Sequence, residues 1–240
     1  MIKRFLLLFV FLFSYISYVR SQSSLKESNI LFSLELSGKY VWRGIEYGTA
    51  PVAFQMLSYN YKGFNVFAMG AYAVNGSHQE VDLGMSYEYR GVIIGLSDYY
   101  YPSSVGEKDT YFKCSNRSTG HSIEAYLTFA MQKIPLWFTL STFVYGSDKK
   151  INGNQAFSSY TEVGYTYNFY DNNALSLACG VNLNKGFYTN FEKGLNVVNV
   201  TLKYTTVFQL GGFKLPVSAS YIINPYKEKS FFTFSLYFNS

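Results

Sequence analysis

Residues 230–240 read SFFTFSLYFNS. Successive side chains of an extended strand point to opposite faces. Phe232, Phe234, Leu236 and Phe238 therefore share one side, and Thr233, Ser235, Tyr237 and Asn239 share the other. A soluble sheet buries such an oily side and wets the polar one. A sheet enclosed by lipid does the reverse, so the fold turns on which side faces inward.

The same alternation recurs along the chain. In 80–90, EVDLGMSYEYR, Val81, Leu83, Met85, Tyr87 and Tyr89 oppose Glu80, Asp82, Gly84, Ser86, Glu88 and Arg90. Segments 121–132 and 174–184 follow it, whereas 52–61 and 64–74 are ambiguous, with apolar residues on both sides. Period-two spacing closed by Gly, Asn, Asp, Pro or Lys predicts twelve strands. These are 30–42, 52–61, 64–74, 80–90, 92–101, 121–132, 136–146, 157–170, 174–184, 195–209, 214–224 and 230–239. Short links such as Lys62-Gly63 and Arg90-Gly91 alternate with long ones such as 102–120 and 185–194. That asymmetry matches outer-membrane barrels, with short periplasmic turns and longer outer loops.

Composition points the same way. Charged residues are 15% of the chain, against roughly 25% in ordinary soluble domains, and 24 Tyr with 22 Phe bring aromatics to 20%. Tyr59, Tyr61, Tyr87, Tyr89, Tyr165, Tyr167 and Tyr170 lie beside short turns, with Tyr40 and Trp42 expected at the other level. Amphipathic rings favour the headgroup region, so two such bands make girdles. The polar side is rich in Gly, Ser, Thr and Asn rather than the dense charge that protects soluble sheet edges. The expected fold is all-β: a single closed up-and-down antiparallel transmembrane β-barrel of about twelve strands, apolar side outward. Closure is required because a bilayer offers no partner for backbone N–H and C=O groups.

The chain opens MIKRFLLLFVFLFSYISYVRSQSS. Two cations, an apolar run and small residues at Val19 and Ser21 predict a signal peptide over 1–21, cleaved after Ser21. Residues 22–29 would form a short periplasmic segment and 30–240 the barrel. Lys3, Arg4 and Arg20 leave with the leader, so the net charge falls from +5 to +2. No basic face remains to suggest nucleic-acid binding. Cys114 and Cys179 are too few for a disulfide framework and are expected to be free.

On this reading the first strand turns Phe32, Leu34, Leu36, Tyr40 and Trp42 to lipid, and Ser33, Glu35, Ser37, Lys39, Val41 and Arg43 inward. Its continuation, Tyr40-Val41-Trp42-Arg43-Gly44, is followed by Pro51, Gln55, Tyr61-Lys62-Gly63-Phe64 and Glu80-Val81-Asp82-Leu83-Gly84. These motifs, best over residues 36–100, resemble the TorF-like (Gcw_chp) family of outer-membrane porins. The resemblance implies an outer-membrane barrel with a transport role, no enzyme and no cofactor. The chain departs from the usual terminal aromatic of such barrels by ending Tyr237-Phe238-Asn239-Ser240.

The expected pore-lining charges are Glu35, Lys39, Arg43, Glu80, Asp82, Glu88, Arg90, Glu124, Glu162 and Lys203. Rings of such side chains filter small polar solutes in pores. Alternatively they pair as Arg–Glu and Lys–Glu inside a plugged or narrow barrel, since an unpaired buried charge is costly. The expected partners are thus the lipid bilayer and small solutes. Porins can be trimeric, yet no strand shows a less apolar outer side reserved for a second copy. Two other classes stay open: a plugged, adhesin-type barrel acting through its outer loops, and an outer-membrane lipid hydrolase. The latter lacks support, because His78 and His121 adjoin Ser77 and Ser122 only in sequence, and neighbouring strand residues face apart. No Cys or His pair has zinc spacing.

Overall fold

Antiparallel pairing runs without interruption around a closed ring in a computed structural model of the chain, which describes residues 29–103, 107–131, 134–170 and 172–239. The leader expected over 1–21 lies outside these residues, as does all of 22–29 but Asn29. In chain order the wall strands are β1 (Ile30–Ser37), β4 (Val52–Tyr61), β5 (Phe64–Ala73), β6 (Gln79–Tyr89), β7 (Val92–Tyr100), β8 (Ser122–Ala130), β9 (Leu136–Gly146), β10 (Ser159–Phe169), β11 (Asn173–Asn182), β12 (Asn196–Leu210), β13 (Phe213–Asn224) and β14 (Lys229–Asn239). Each pairs with its sequence neighbours, and β1 closes the ring by pairing with β14, Leu36 opposite Leu236. The wall therefore holds the twelve strands that the alternation predicts. No described helix is long and apolar enough to cross a membrane, and the strands satisfy the backbone instead.

The wall is inside out. Phe232, Phe234 and Leu236 are exposed, as are Leu83, Met85, Ile94, Leu96, Leu127, Leu177 and Leu202, while Ser97, Thr139, Ser141, Thr166 and Ser218 are buried on the opposite face. Phe234 keeps 60% of its surface open and its neighbour Ser235 only 5%. Strands of about ten residues at barrel tilt match the hydrocarbon thickness. At the end with tight turns, Tyr59, Tyr61, Tyr87, Tyr89, Tyr165, Tyr167 and Tyr170 are exposed and form the expected girdle. This is the architecture of an outer-membrane β-barrel.

The first expected strand needs correction. β1 stops at Ser37, and residues 40–47 form a separate hairpin, β2 (Tyr40–Trp42) with β3 (Ile45–Tyr47), outside the ring. The break has a local cause. Gly38 N–H bonds the Phe234 carbonyl at 2.9 Å, after which Lys39 N–H turns to the Thr233 hydroxyl at 3.0 Å and Ser37 Oγ donates to the Lys39 carbonyl at 2.8 Å. Side-chain oxygens thus take over from the ladder and steer the chain off the sheet.

Candidate functional site in the barrel lumen

The β2–β3 hairpin is the centre of the lumen. Tyr40 pairs with Tyr47, Val41 with Glu46 and Trp42 with Ile45. Arg43 and Gly44 form its two-residue turn, both at positive φ (50° and 76°), as a tight hairpin requires. Gly44 is obligatory for a second reason: a Cβ there would lie 2.0 Å from the Val198 carbonyl oxygen. Val198 is the extra residue where the β11–β12 register slips between Gly180 and Val181. The bulge pushes that backbone inward to meet the hairpin tip. Asn224 Nδ2 then donates to the Gly44 carbonyl at 3.1 Å.

Aromatic packing fills the space around the tip. Trp42 and Ile45 pack on a buried cluster of Tyr99, Phe143, Tyr160, Tyr188 and Val198. Trp42 lies 5.6 Å from Tyr99 and 6.1 Å from Tyr188 between ring centroids. Tyr188 comes from a short 3-10 turn, Phe187–Thr189, so the 185–194 loop also folds inward. On the hairpin's other flank Tyr40 packs on Val52, Ala71, Ala73 and Phe54. These contacts explain why strands 52–61 and 64–74 look ambiguous in sequence. Beside the hairpin the inner face of the wall must itself be apolar.

Arg43 is the polar anchor. Its Nη1 and Nη2 donate to Glu124 Oε1 and Oε2 at 2.5 and 3.0 Å, and Nη1 also donates to the Tyr188 hydroxyl. The guanidinium stacks over the Trp42 ring at 4.3 Å and the Tyr160 ring at 4.6 Å. Tyr99 completes the set by donating to Glu124 Oε2 at 3.0 Å. Both charges are buried, and only a fork-to-fork geometry with added donors offsets their desolvation. At the base of the hairpin Lys39 pairs with Glu46.

Toward the short turns the inner face is polar. Thr128 and Thr139 share a hydrogen bond at 2.9 Å, Thr166 and Ser176 one at 3.1 Å, and Ser218 and Tyr237 one at 2.9 Å. Lys203 Nζ donates to the Tyr237 hydroxyl at 3.1 Å. Glu162 accepts from the Tyr160 hydroxyl and from Asn199 Nδ2, the latter at 2.7 Å.

The sequence-predicted charges divide by place. Glu35, Glu80, Asp82, Glu88, Glu124, Glu162 and Lys203 fall at inward positions of wall strands, as the register sets them. Lys39 and Arg43 do not. They belong to the inserted hairpin, and Tyr40 and Trp42, expected in lipid, lie in the lumen beside them. Arg90 sits in the tight Arg90-Gly91 turn at φ 49°, its guanidinium 5.2 Å from the Tyr89 ring. It lines no part of the wall. Sequence reasoning missed Tyr188 and Trp42 as lumen groups. The one available signal was the apolar inner side of β4 and β5.

The outer rim carries a second polar arrangement. Asp98 and His121 point outward, and His121 Nδ1 meets Asp98 Oδ2 at 2.7 Å while Nε2 meets the Tyr111 carbonyl at 2.7 Å. Tyr100 packs tilted and Tyr111 edge-on against this imidazole, and the Tyr145 hydroxyl donates to the Cys114 carbonyl at 2.6 Å. The described part of the 102–120 loop is thereby held against the outside of the wall. His121 faces a backbone carbonyl rather than a nucleophile, and Ser122 turns away to Ser147. Among the described residues no group of three or more His, Cys, Asp or Glu side chains is placed to hold a metal. Cys114 and Cys179 are both free.

No family model matches the chain, and no curated protein matches it. Among solved structures, the KdgM porin is similar at 9% identity, covering 87% of this chain and 97% of that one, with a TM-score of 0.46. An outer membrane channel from Pseudomonas putida F1 is similar at 11% identity, covering 90% and 96%, with a TM-score of 0.46. OccK5 from Pseudomonas aeruginosa is similar at 9% identity, covering 88% and 67%, with a TM-score of 0.39. The likeness is one of barrel architecture, and no residue of this chain takes a role from it.

Proposed function

We propose that the chain is an outer-membrane channel for small polar solutes whose outer mouth is closed by the 38–51 hairpin until that hairpin yields. The carrying observation is a lumen lined by hydroxyl and amide side chains toward the short turns and stoppered by one Arg43-anchored hairpin toward the long loops. A barrel that served only as scaffold would have no need of a polar axis; an apolar core would stabilise it better. In this reading residues 1–21 direct export, and Glu35, Glu88, Glu162 and Lys203 line the path below the plug. Glu80, Asp82 and Glu124 stand at its mouth. The Tyr40–Gly44 motif that carries the TorF-like resemblance forms the plug itself. We assign no catalytic role.

The plug also favours a second reading, in which the barrel stays shut and acts through its outer loops. Planar-bilayer conductance separates the two. Refolded wild-type protein is expected to show rare, small openings, and a variant with 39–47 replaced by a short Gly-Ser link to open steadily. Silence from both proteins would discard the channel and leave the loop reading.

A further inference from the structure

Asp82 is a buried carboxyl group to which the protein supplies no N–H or hydroxyl donor; its hydrogen-bond partner is another acid, Glu80. It is 0% exposed on the inward face of β6. Glu80, two residues earlier on the same face and also buried, is its strongest charged neighbour. The cations of the plug are committed elsewhere: Arg43 to Glu124 and Lys39 to Glu46. His78 reaches only Glu80, at 2.9 Å. Two adjacent carboxyl groups in a water-poor site must either share a proton or take up a cation.

Ser97 gives an independent sign. The β6–β7 register sets Asp82 opposite Tyr99 and Gly84 opposite Ser97, so Ser97 is the diagonal inward neighbour of Asp82. Its side chain is 1% exposed, and its hydroxyl has no partner. The atoms at this spot with no N–H or hydroxyl partner are all oxygens. Oxygen-only sets with two negative charges suit a hard divalent cation, and calcium accepts irregular geometry and neutral oxygens more readily than magnesium. A route exists. A pocket of about 370 Å³ lined by Tyr47, Ser77, His78, Gln79 and Tyr101 opens at the long-loop end, with the Glu80 partner His78 in its wall.

We propose that Glu80 and Asp82 bind a calcium-type divalent cation, with Ser97 Oγ as a further ligand and water completing the shell. The site does not depend on conduction through the barrel. Terbium tests it, because nearby tyrosines such as Tyr40, Tyr99 and Tyr101 can sensitise lanthanide emission. With the full chain folded in detergent, tyrosine excitation is expected to give terbium emission that calcium competes away. That emission should vanish in Asp82→Asn and persist in Asp109→Asn, on the exposed loop. Independently of any variant, calcium should raise the wild-type melting temperature and a chelator should lower it, since a ligand of the folded state stabilises it. Absence of calcium-competed emission, its survival in folded Asp82→Asn, or a melting temperature indifferent to calcium and chelator would overturn the site. The carboxyl pair would then be neutralised by a shared proton.

Discussion

Arg43 and Glu124, 81 residues apart in sequence, meet through both terminal nitrogens and both carboxylate oxygens in the barrel interior. Glu124 stands on β8, five strands around the ring from β1, so the pair spans the lumen and ties the hairpin to the far wall. Without it, the aromatic face of the hairpin would still pack and Asn224 would still bond the Gly44 carbonyl, but no charge pair would tie the tip to the far wall.

Removing one partner leaves the other charge buried alone, at a cost of about 3–5 kcal/mol. Arg43→Ala and Glu124→Gln are therefore expected to melt markedly below wild type and to conduct more often in planar bilayers. The double variant Arg43→Met, Glu124→Leu should recover much of the stability while keeping the conductance. Equal loss in single and double variants would show that the pair is not the anchor.

Gly44 tests the seat of the plug rather than its charge. An alanine side chain there would meet the Val198 carbonyl and hold a positive φ, which together cost about 1–3 kcal/mol. Gly44→Ala should unseat the tip and raise conductance with Arg43 intact. Gly153→Ala, on an exposed loop with open space around it, serves as the control and should do neither.

The inside-out wall predicts opposite tolerance on its two faces. Leu127 and Thr128 are neighbours on β8, one exposed and one buried toward the axis. Leu127→Arg should lose about 2–4 kcal/mol of stability in vesicles, the cost of a cation near the midplane. Thr128→Ser should fold like wild type. An unchanged stability of Leu127→Arg in denaturant titration of the vesicle-inserted protein would contradict a lipid-facing Leu127.

Cysteine chemistry maps depth without new variants. Cys114 lies exposed in the 102–120 loop, whereas Cys179 alternates with Leu177 and Val181 on the lipid side of β11. A membrane-impermeant maleimide should label Cys114 alone in vesicle-inserted protein, and denaturation should expose Cys179. Rapid labelling of both in the folded state would contradict the register.

The Asp98–His121 pair is expected to clasp the 102–120 loop. His121→Ala removes the link to the Tyr111 carbonyl and should accelerate limited proteolysis between 107 and 120 with little change in melting temperature. An unchanged cleavage rate would mean that Tyr100 packing alone holds the loop.

The sequence by itself determined the wall. Alternation along β14, β6, β8 and β11, few charges, and short links alternating with long ones specify twelve strands and an apolar exterior. The alternation is a local, period-two property that those strands display one by one. What only the tertiary structure decided is where Tyr40 to Gly44 go. In extended form SGKYVWRG continues the pattern of β1 without a break, so nothing local distinguishes a strand from a hairpin folded inward. That choice is made by partners distant in sequence: Thr233 drawing Lys39 off the ladder, Val198 leaving room for a glycine alone, and Glu124 waiting across the lumen for Arg43. A charge can lie in such an interior only where the closed ring has already brought its counterpart within reach.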